Sequence, residues 1–276
     1  MTWLARLDLD YAVSLGRSVV HHSHQGPLRV LRSLYPEGDA ICHNVLVHPP
    51  GGLVGGDTLD IRARVQAGAH ALLTTPGATR FYRSNGAPAL QDTLLVLASG
   101  ARMEWLPLET IAYSGCDALN RLQLELAPGA ELIGWDITAL GLPHAQAPFV
   151  AGRYTQHLEL PGQWLEHGTL AAHDTLLMDG PLGLAGQRCL ASLFFVAGSP
   201  LARERRETAL DLTRALIENH ALAARCGVTS PHDRVIVLRA LAPMVEPVMQ
   251  LWRQVWQLWR GHFWGLPAVA PRIWAM

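Results

Sequence analysis

The stretch that decides the fold runs from Leu122 to Ile137, L-Q-L-E-L-A-P-G-A-E-L-I-G-W-D-I. Leu122, Leu124 and Leu126 alternate with Gln123 and Glu125, the period of a strand with one wet face. Pro128-Gly129 breaks that strand, and Ala130 to Ile137 restarts as a second one. The same unit occurs three more times. Thr58 to Val65 ends at Ala67-Gly68, Thr93 to Leu97 at Ser99-Gly100, and Tyr154 to Leu160 at Pro161-Gly162, each followed by another strand-like run. The four glycines Gly68, Gly100, Gly129 and Gly162 stand about thirty residues apart. A repeat of that period signals stacked supersecondary units. The expectation is a mainly β fold, a layered or coiled β architecture of repeated hairpins.

The last third changes period. Ser199-Pro200 reads as an N-cap followed by proline at the first helical position, with Ala209, Leu212 and Leu216 on one face. Asp233 to Leu241 reads as a strand. Pro243 opens a second helix whose Val245, Val248, Met249, Trp252, Trp256, Trp259 and Phe263 keep to three- and four-residue steps. The predicted organisation is one domain over residues 1–276, with a β core at about 1–198 and 233–241 and two helices at about 200–219 and 243–263. Trp256, Trp259 and Trp264 give the second helix a wide aromatic face, which either packs on the β core or binds a partner. The closing R-I-W-A-M is expected to dock or to be bound.

With 49% apolar and 16% charged residues in 276, the chain can bury a substantial core. Net charge is −1, which removes the electrostatic basis for nucleic-acid or anionic-membrane binding. The four cysteines are scattered without a C-x-x-C pair, against a structural zinc site and a secreted disulfide framework. Charges at Arg6, Asp8 and Asp10 interrupt any signal-peptide core, and the apolar run Cys189 to Ala202 is too short to span a bilayer. A soluble cytoplasmic protein is expected.

Chemistry-bearing side chains concentrate between Leu34 and Ile61, L-Y-P-E-G-D-A-I-C-H-N-V-L-V-H-P-P-G-G-L-V-G-G-D-T-L-D-I. Glu37 and Asp57 are acids able to ligate a metal or cap a turn, and Cys42, His43 and His48 add a thiol and two imidazoles. A strand over Ile41 to Val47 must stop at Pro49-Pro50, which removes two donors. His21, His22 and His24 precede Gly26-Pro27 and read as a loop cluster, either exposed or metal-binding. Arg80, Tyr82 and Arg83 fall on the face opposite Phe81. Glu104 and Glu109 flank Trp105 and Pro107. There is no P-loop and no nucleophile with an orienting base.

The order Y-P-E-G, C-H, H-P-P-G-G-L-V-G-G-D resembles the urease accessory protein UreD (UreH) family, as do Thr74 to Ala89 and Met103 to Ile111. The resemblance implies a non-enzymatic accessory protein, a chaperone or scaffold that helps to insert nickel into apo-urease. It implies a mainly β fold with a helical pair, and a complex with the urease apoprotein, a helical accessory protein of the UreF type and a nickel-carrying GTPase of the UreG type. No tightly bound cofactor is expected; nickel would be transient cargo. Glu37, His43, His48, Asp57 and Glu109 would then offer weak ligands along its path, with Arg80, Tyr82, Arg83, Trp256, Trp259 and Trp264 at partner contacts. The sequence departs from the family at Leu142, where an arginine is commoner, and at Gln146 or Ala147, where a glutamate is commoner. The alternative is a metal-dependent hydrolase using His43, His48 and Asp57 beside Cys42, although no third ligand stands at a standard spacing.

Overall fold

The computed structural model describes residues 2–275. An antiparallel pair, β1 (Leu4–Ser14) and β2 (Arg17–Gln25), opens the chain, followed by β3 (Arg29–Val30) and β4 (Ile41–Val47). The coiled part then winds through β5 (Thr58–Val65), β6 (His70–Thr74), β7 (Thr79–Phe81), β8 (Ala89–Leu97), β9 (Arg102–Leu106), β10 (Thr110–Ala112), β11 (Cys116–Leu126) and β12 (Glu131–Leu142). After β13 (Ala147–Pro148) come β14 (Gly152–Leu160), β15 (Trp164–Ala171), α1 (Thr175–Asp179), β16 (Cys189–Ala197) and α2 (Arg203–Glu218). The chain finishes with β17 (Cys226–His232), β18 (Val235–Ala242) and α3 (Val245–Trp259).

Two sheets face each other. One runs β15-β14-β11-β8-β5-β1-β2, and the other runs β17-β18-β16-β12-β9-β6-β4-β3, with β7, β10 and β13 attached to it. Within the coil the neighbours are parallel: β1, β5, β8, β11 and β14 in the first sheet, β4, β6, β9 and β12 in the second. The mainly β, coiled expectation holds, and the pairing inside each unit differs from it. The turns at Gly68, Gly100 and Gly129 carry the chain from one sheet to the other, so their flanking strands do not pair; only Gly162 closes a true hairpin, β14 with β15. The corners stack through backbone bonds such as Arg102 N to Ala69 O and Glu131 N to Ala101 O. All four glycines have positive φ, 69° to 79°, a shape that serves a corner and a hairpin equally.

Each strand's pattern follows from which sheet it joins. β11 alternates buried and half-buried residues because one face meets solvent. β12 and β16 are almost wholly buried because the second sheet is covered on its outer face by α2 and α3. The space between the sheets holds one apolar core, with Leu7, Leu9, Tyr11, Phe81 and Tyr154; the helix-covered face holds another, with Trp135, Phe195, Trp252 and Trp259.

The helices expected at about 200–219 and 243–263 are α2 and α3, the latter extended by a π turn over Arg260–Trp264. Ser199 does not cap α2; its Oγ accepts from Gly129 N at 3.0 Å and ties the helix entry to a corner. The buried face of α2 is Ala209, Leu210, Thr213 and Ile217, with Leu212 pointing outward, and the helix begins three residues later than the Ser-Pro signal suggests. The short α1 and the strand β17, across Ser230-Pro231, are additions to the expected elements. His21, His22 and His24 lie on the exposed edge strand β2 and not in a loop.

Candidate functional site

β4 divides its side chains between two environments. Cys42, Asn44 and Leu46 face the space between the sheets, and Ile41, His43 and Val45 face the helices, as strand alternation requires. His43 Nε2 lies 2.8 Å from Glu37 Oε1, and Glu37 Oε2 accepts from Arg260 Nη2 at 2.7 Å. Arg260 Nε stands 3.5 Å from Glu104 Oε2, whose other oxygen is 2.9 Å from His70 Nε2. Trp256 Nε1 also donates to Glu104, at 2.5 Å. Arg260 thus bridges two carboxylate–imidazole pairs in a fully buried position. Burial pushes Glu37 up, but hydrogen bonds from His43 and Arg260 outweigh it and hold the carboxyl below its ordinary value.

His48, one position past β4, turns the other way. Its ring rests 5.0 Å from that of Trp3, its Nε2 has no partner among the described residues, and burial lowers its pKa against the pull of Asp57. Asp57 itself caps the glycine-rich loop, accepting from Val54 N at 3.0 Å and Trp3 N at 3.4 Å. His48 borders a groove of about 230 Å³, whose further walls include Pro76, Thr79, Arg80, Gln91 and Trp105. Thr79, Gln91 and Trp105 also bound a small enclosed space that reaches Asn120 and Asp136 between the sheets.

A polar line runs through that space. Gln91 Nε2 donates to Asn120 Oδ1 at 3.1 Å, and Asn120 Nδ2 donates to Asp136 Oδ2 at 2.8 Å. Gln156 Nε2 donates to Asp136 Oδ1 at 2.7 Å, and Thr138 Oγ1 lies 3.2 Å from both Asp136 Oδ1 and Tyr154 Oη. Burial raises the Asp136 pKa despite those hydrogen bonds. The signal that exposes this line is a polar residue inside an apolar run, as Asp136 is in I-G-W-D-I-T-A-L, yet only the fold shows that the members meet.

Glu109 lies apart from both places. It borders a cavity of about 220 Å³ with Leu142, His144, Cys189 and Glu246. Burial, with Glu109 and Glu246 nearby, pushes the Cys189 thiol up to about 12. The five expected ligands therefore do not converge, and among the described residues no group of three His, Cys, Asp or Glu could hold a metal ion. That overturns the hydrolase alternative: His43 and His48 are on opposite sides of one sheet, and Asp57 is spent on its turn.

Arg80, Tyr82 and Arg83 are exposed on either side of buried Phe81, and Tyr82 stacks on Tyr113 with ring centroids 5.0 Å apart. Leu53 of the glycine-rich loop pairs with this segment through Leu53 N to Arg80 O and Tyr82 N to Leu53 O, both 2.8 Å. Gly52 is required there, since a Cβ would stand 2.3 Å from the Tyr82 ring. The tryptophans are a correction. Trp256, Trp259 and Trp264 are at most 8% exposed, with indole nitrogens bonded to Glu104, Thr213 and Glu131, so none presents a partner surface. Their area is spent on seating α3 against the sheet. The tail docks as well: Trp274 Nε1 donates to Thr74 Oγ1 at 2.9 Å.

The family model described as UreD urease accessory protein matches residues 4–275. Relatives named "Urease accessory protein UreD" occur in Polaromonas naphthalenivorans and Paracidovorax citrulli, each 67% identical over 276 residues and covering the whole of both chains. One from Leptothrix cholodnii is 52% identical, with 99% of each chain covered. A match of that identity over the full length, on a coil whose signature loop is built into the fold, shows that the chain belongs to the UreD urease accessory protein family.

Proposed function

We propose that this chain acts in urease maturation by giving nickel a sheltered route toward apo-urease, as a non-catalytic member of an accessory complex. The family is named for a role beside urease and not for catalysis of its own. The observation that carries the route is the polar line from the His48 groove through Gln91 and Asn120 to Asp136. Amide oxygens and one carboxylate are weak nickel ligands compared with a cluster of imidazoles or thiolates, and a conduit must release what it accepts. Asp136, whose oxygens accept from Asn120 and Gln156, is the one carboxylate on the route.

The exposed Arg80, Tyr82 and Arg83 beside the groove mouth are the partner-facing residues in this reading. The partners are the urease apoprotein, a helical UreF-type protein and a nickel-carrying GTPase of the UreG type. No helix of the described residues is long and apolar enough to cross a membrane, which fits a cytoplasmic setting.

The test is co-expression with the urease structural and accessory genes in cells lacking this gene, at limiting nickel. Asp136→Asn keeps the side-chain shape and removes the carboxylate; Asn120→Leu interrupts the line. Each should lower urease activity several-fold, with recovery at high nickel, while tagged protein still recovers urease subunits. Full activation at limiting nickel by folded variants would refute the route. Wild-type protein that recovers no urease component would refute the complex.

A further inference from the structure

The outer face of the β14–β15 hairpin brings two histidines together in a way that the route above does not use. His157 and His167 are direct cross-strand partners, so both rings leave the same face of the sheet. Their Nδ1 atoms are 3.2 Å apart, with the ring planes inclined at 71°. The second nitrogen of His157, Nε2, lies 2.8 Å from Glu159 Oε2, and Gln123 Nε2 donates to the same oxygen at 3.2 Å. An ionised carboxylate only accepts, so in neutral His157 the proton sits on Nε2 and the Nδ1 lone pair points at His167.

We propose that His157 and His167 form a surface site for one divalent late transition ion, such as Ni²⁺ or Zn²⁺, with Glu159 as the positioning residue. Imidazole nitrogens bind such ions at about 2.0–2.1 Å, which puts two ligand nitrogens about 2.9 Å apart at a right angle and about 3.4 Å apart at the tetrahedral angle. The observed spacing falls between these values. A carboxylate on the far nitrogen of a ligand histidine fixes its tautomer and raises its basicity, the arrangement that Glu159 supplies. No third His, Cys, Asp or Glu joins the pair among the described residues, so water or a partner's donors complete the coordination and the ion exchanges readily. His167 is exposed and His157 half-buried, so the site is open to a free ion. The inference rests on this hairpin alone and not on the urease reading.

The experiment is calorimetric titration of the metal-free full-length chain with NiCl₂ and with ZnCl₂, alongside histidine ring signals by NMR. One ion should bind with perturbation of the His157 and His167 rings. His157→Ala or His167→Ala should abolish that binding without changing the far-ultraviolet circular dichroism, and Glu159→Gln should weaken it about 10-fold. A double substitution at His22 and His24, the other exposed histidine pair, should leave it intact. Unchanged stoichiometry in the His157→Ala, His167→Ala double variant would overturn the proposal, as would absence of binding to the wild type. In either case the pair is a plain imidazole–imidazole hydrogen bond.

Discussion

On the outer face of the seven-stranded sheet, Asp92 accepts from Arg62 at 2.9 Å and from Arg121 at 2.7 and 2.8 Å, across three parallel strands, its carboxylate buried beneath two guanidiniums that reach water. On the outer face of the eleven-stranded sheet, Glu37 and Glu104 share Arg260 with two histidines, also across neighbouring strands, beneath α3 and its π turn. Both are ladders of charge set by register. They differ in what lies above them. In the first the arginines reach water, which screens the ladder from that side, whereas in the second every member is buried, and removing one leaves the others buried and unpaired. The coil thus uses one device twice, as surface in one place and as a seat for a helix in the other.

The largest break in that comparison should come from Arg260→Met. It leaves Glu37 and Glu104 without their common cation, and it should cost about 3–5 kcal/mol of unfolding free energy. Chemical denaturation measures it, and a loss below about 1 kcal/mol would mean that the covered ladder behaves like the exposed one. A middle-sized effect concerns acid. Glu37 is held below its ordinary value near 4.5, so its contribution is complete above that value and is lost as pH falls through the lowered one. Thermal unfolding between pH 6 and pH 3 should show a shallower acid loss in Arg260→Met than in the wild type. Equal slopes would detach Glu37 from Arg260. The smallest effect is expected from Arg121→Ala, whose partner Asp92 keeps Arg62: less than about 1 kcal/mol, shrinking further in 0.5 M salt. A salt-independent loss would show that the open ladder is not screened.

Much of the coil is legible in the sequence. The strand–glycine–strand unit, the change of period near residue 200 and both long helices can be read from spacing alone. The corners cannot, since Pro128-Gly129 and Pro161-Gly162 look alike while one changes sheets and the other closes a hairpin. The cue lies in the strand that follows. Leu132 to Trp135 is apolar on both faces and must be covered twice, whereas Trp164 to Ala171 carries Glu166, His167 and Thr169 and can stand at an edge.

The candidate site was less legible for a similar reason. The signature loop marks where chemistry concentrates, and Asp57 could be read as a turn cap from its glycines. That Glu37 and His43 would find Arg260, 223 residues on from Glu37, could not. The aromatic periodicity of α3 says that a face is buried, not what buries it. Trp256 and Trp259 meet this chain's own Glu104 and Thr213.

The sequence by itself determined the repeating strand unit, the conformation of the four turn glycines, the amphipathic helices and the family, because each depends on residue type and local spacing. Only the tertiary structure decided which strands pair, which charges meet and which faces are wet. Those depend on contacts between residues far apart in the chain, and a parallel coil lets neither partner announce the other.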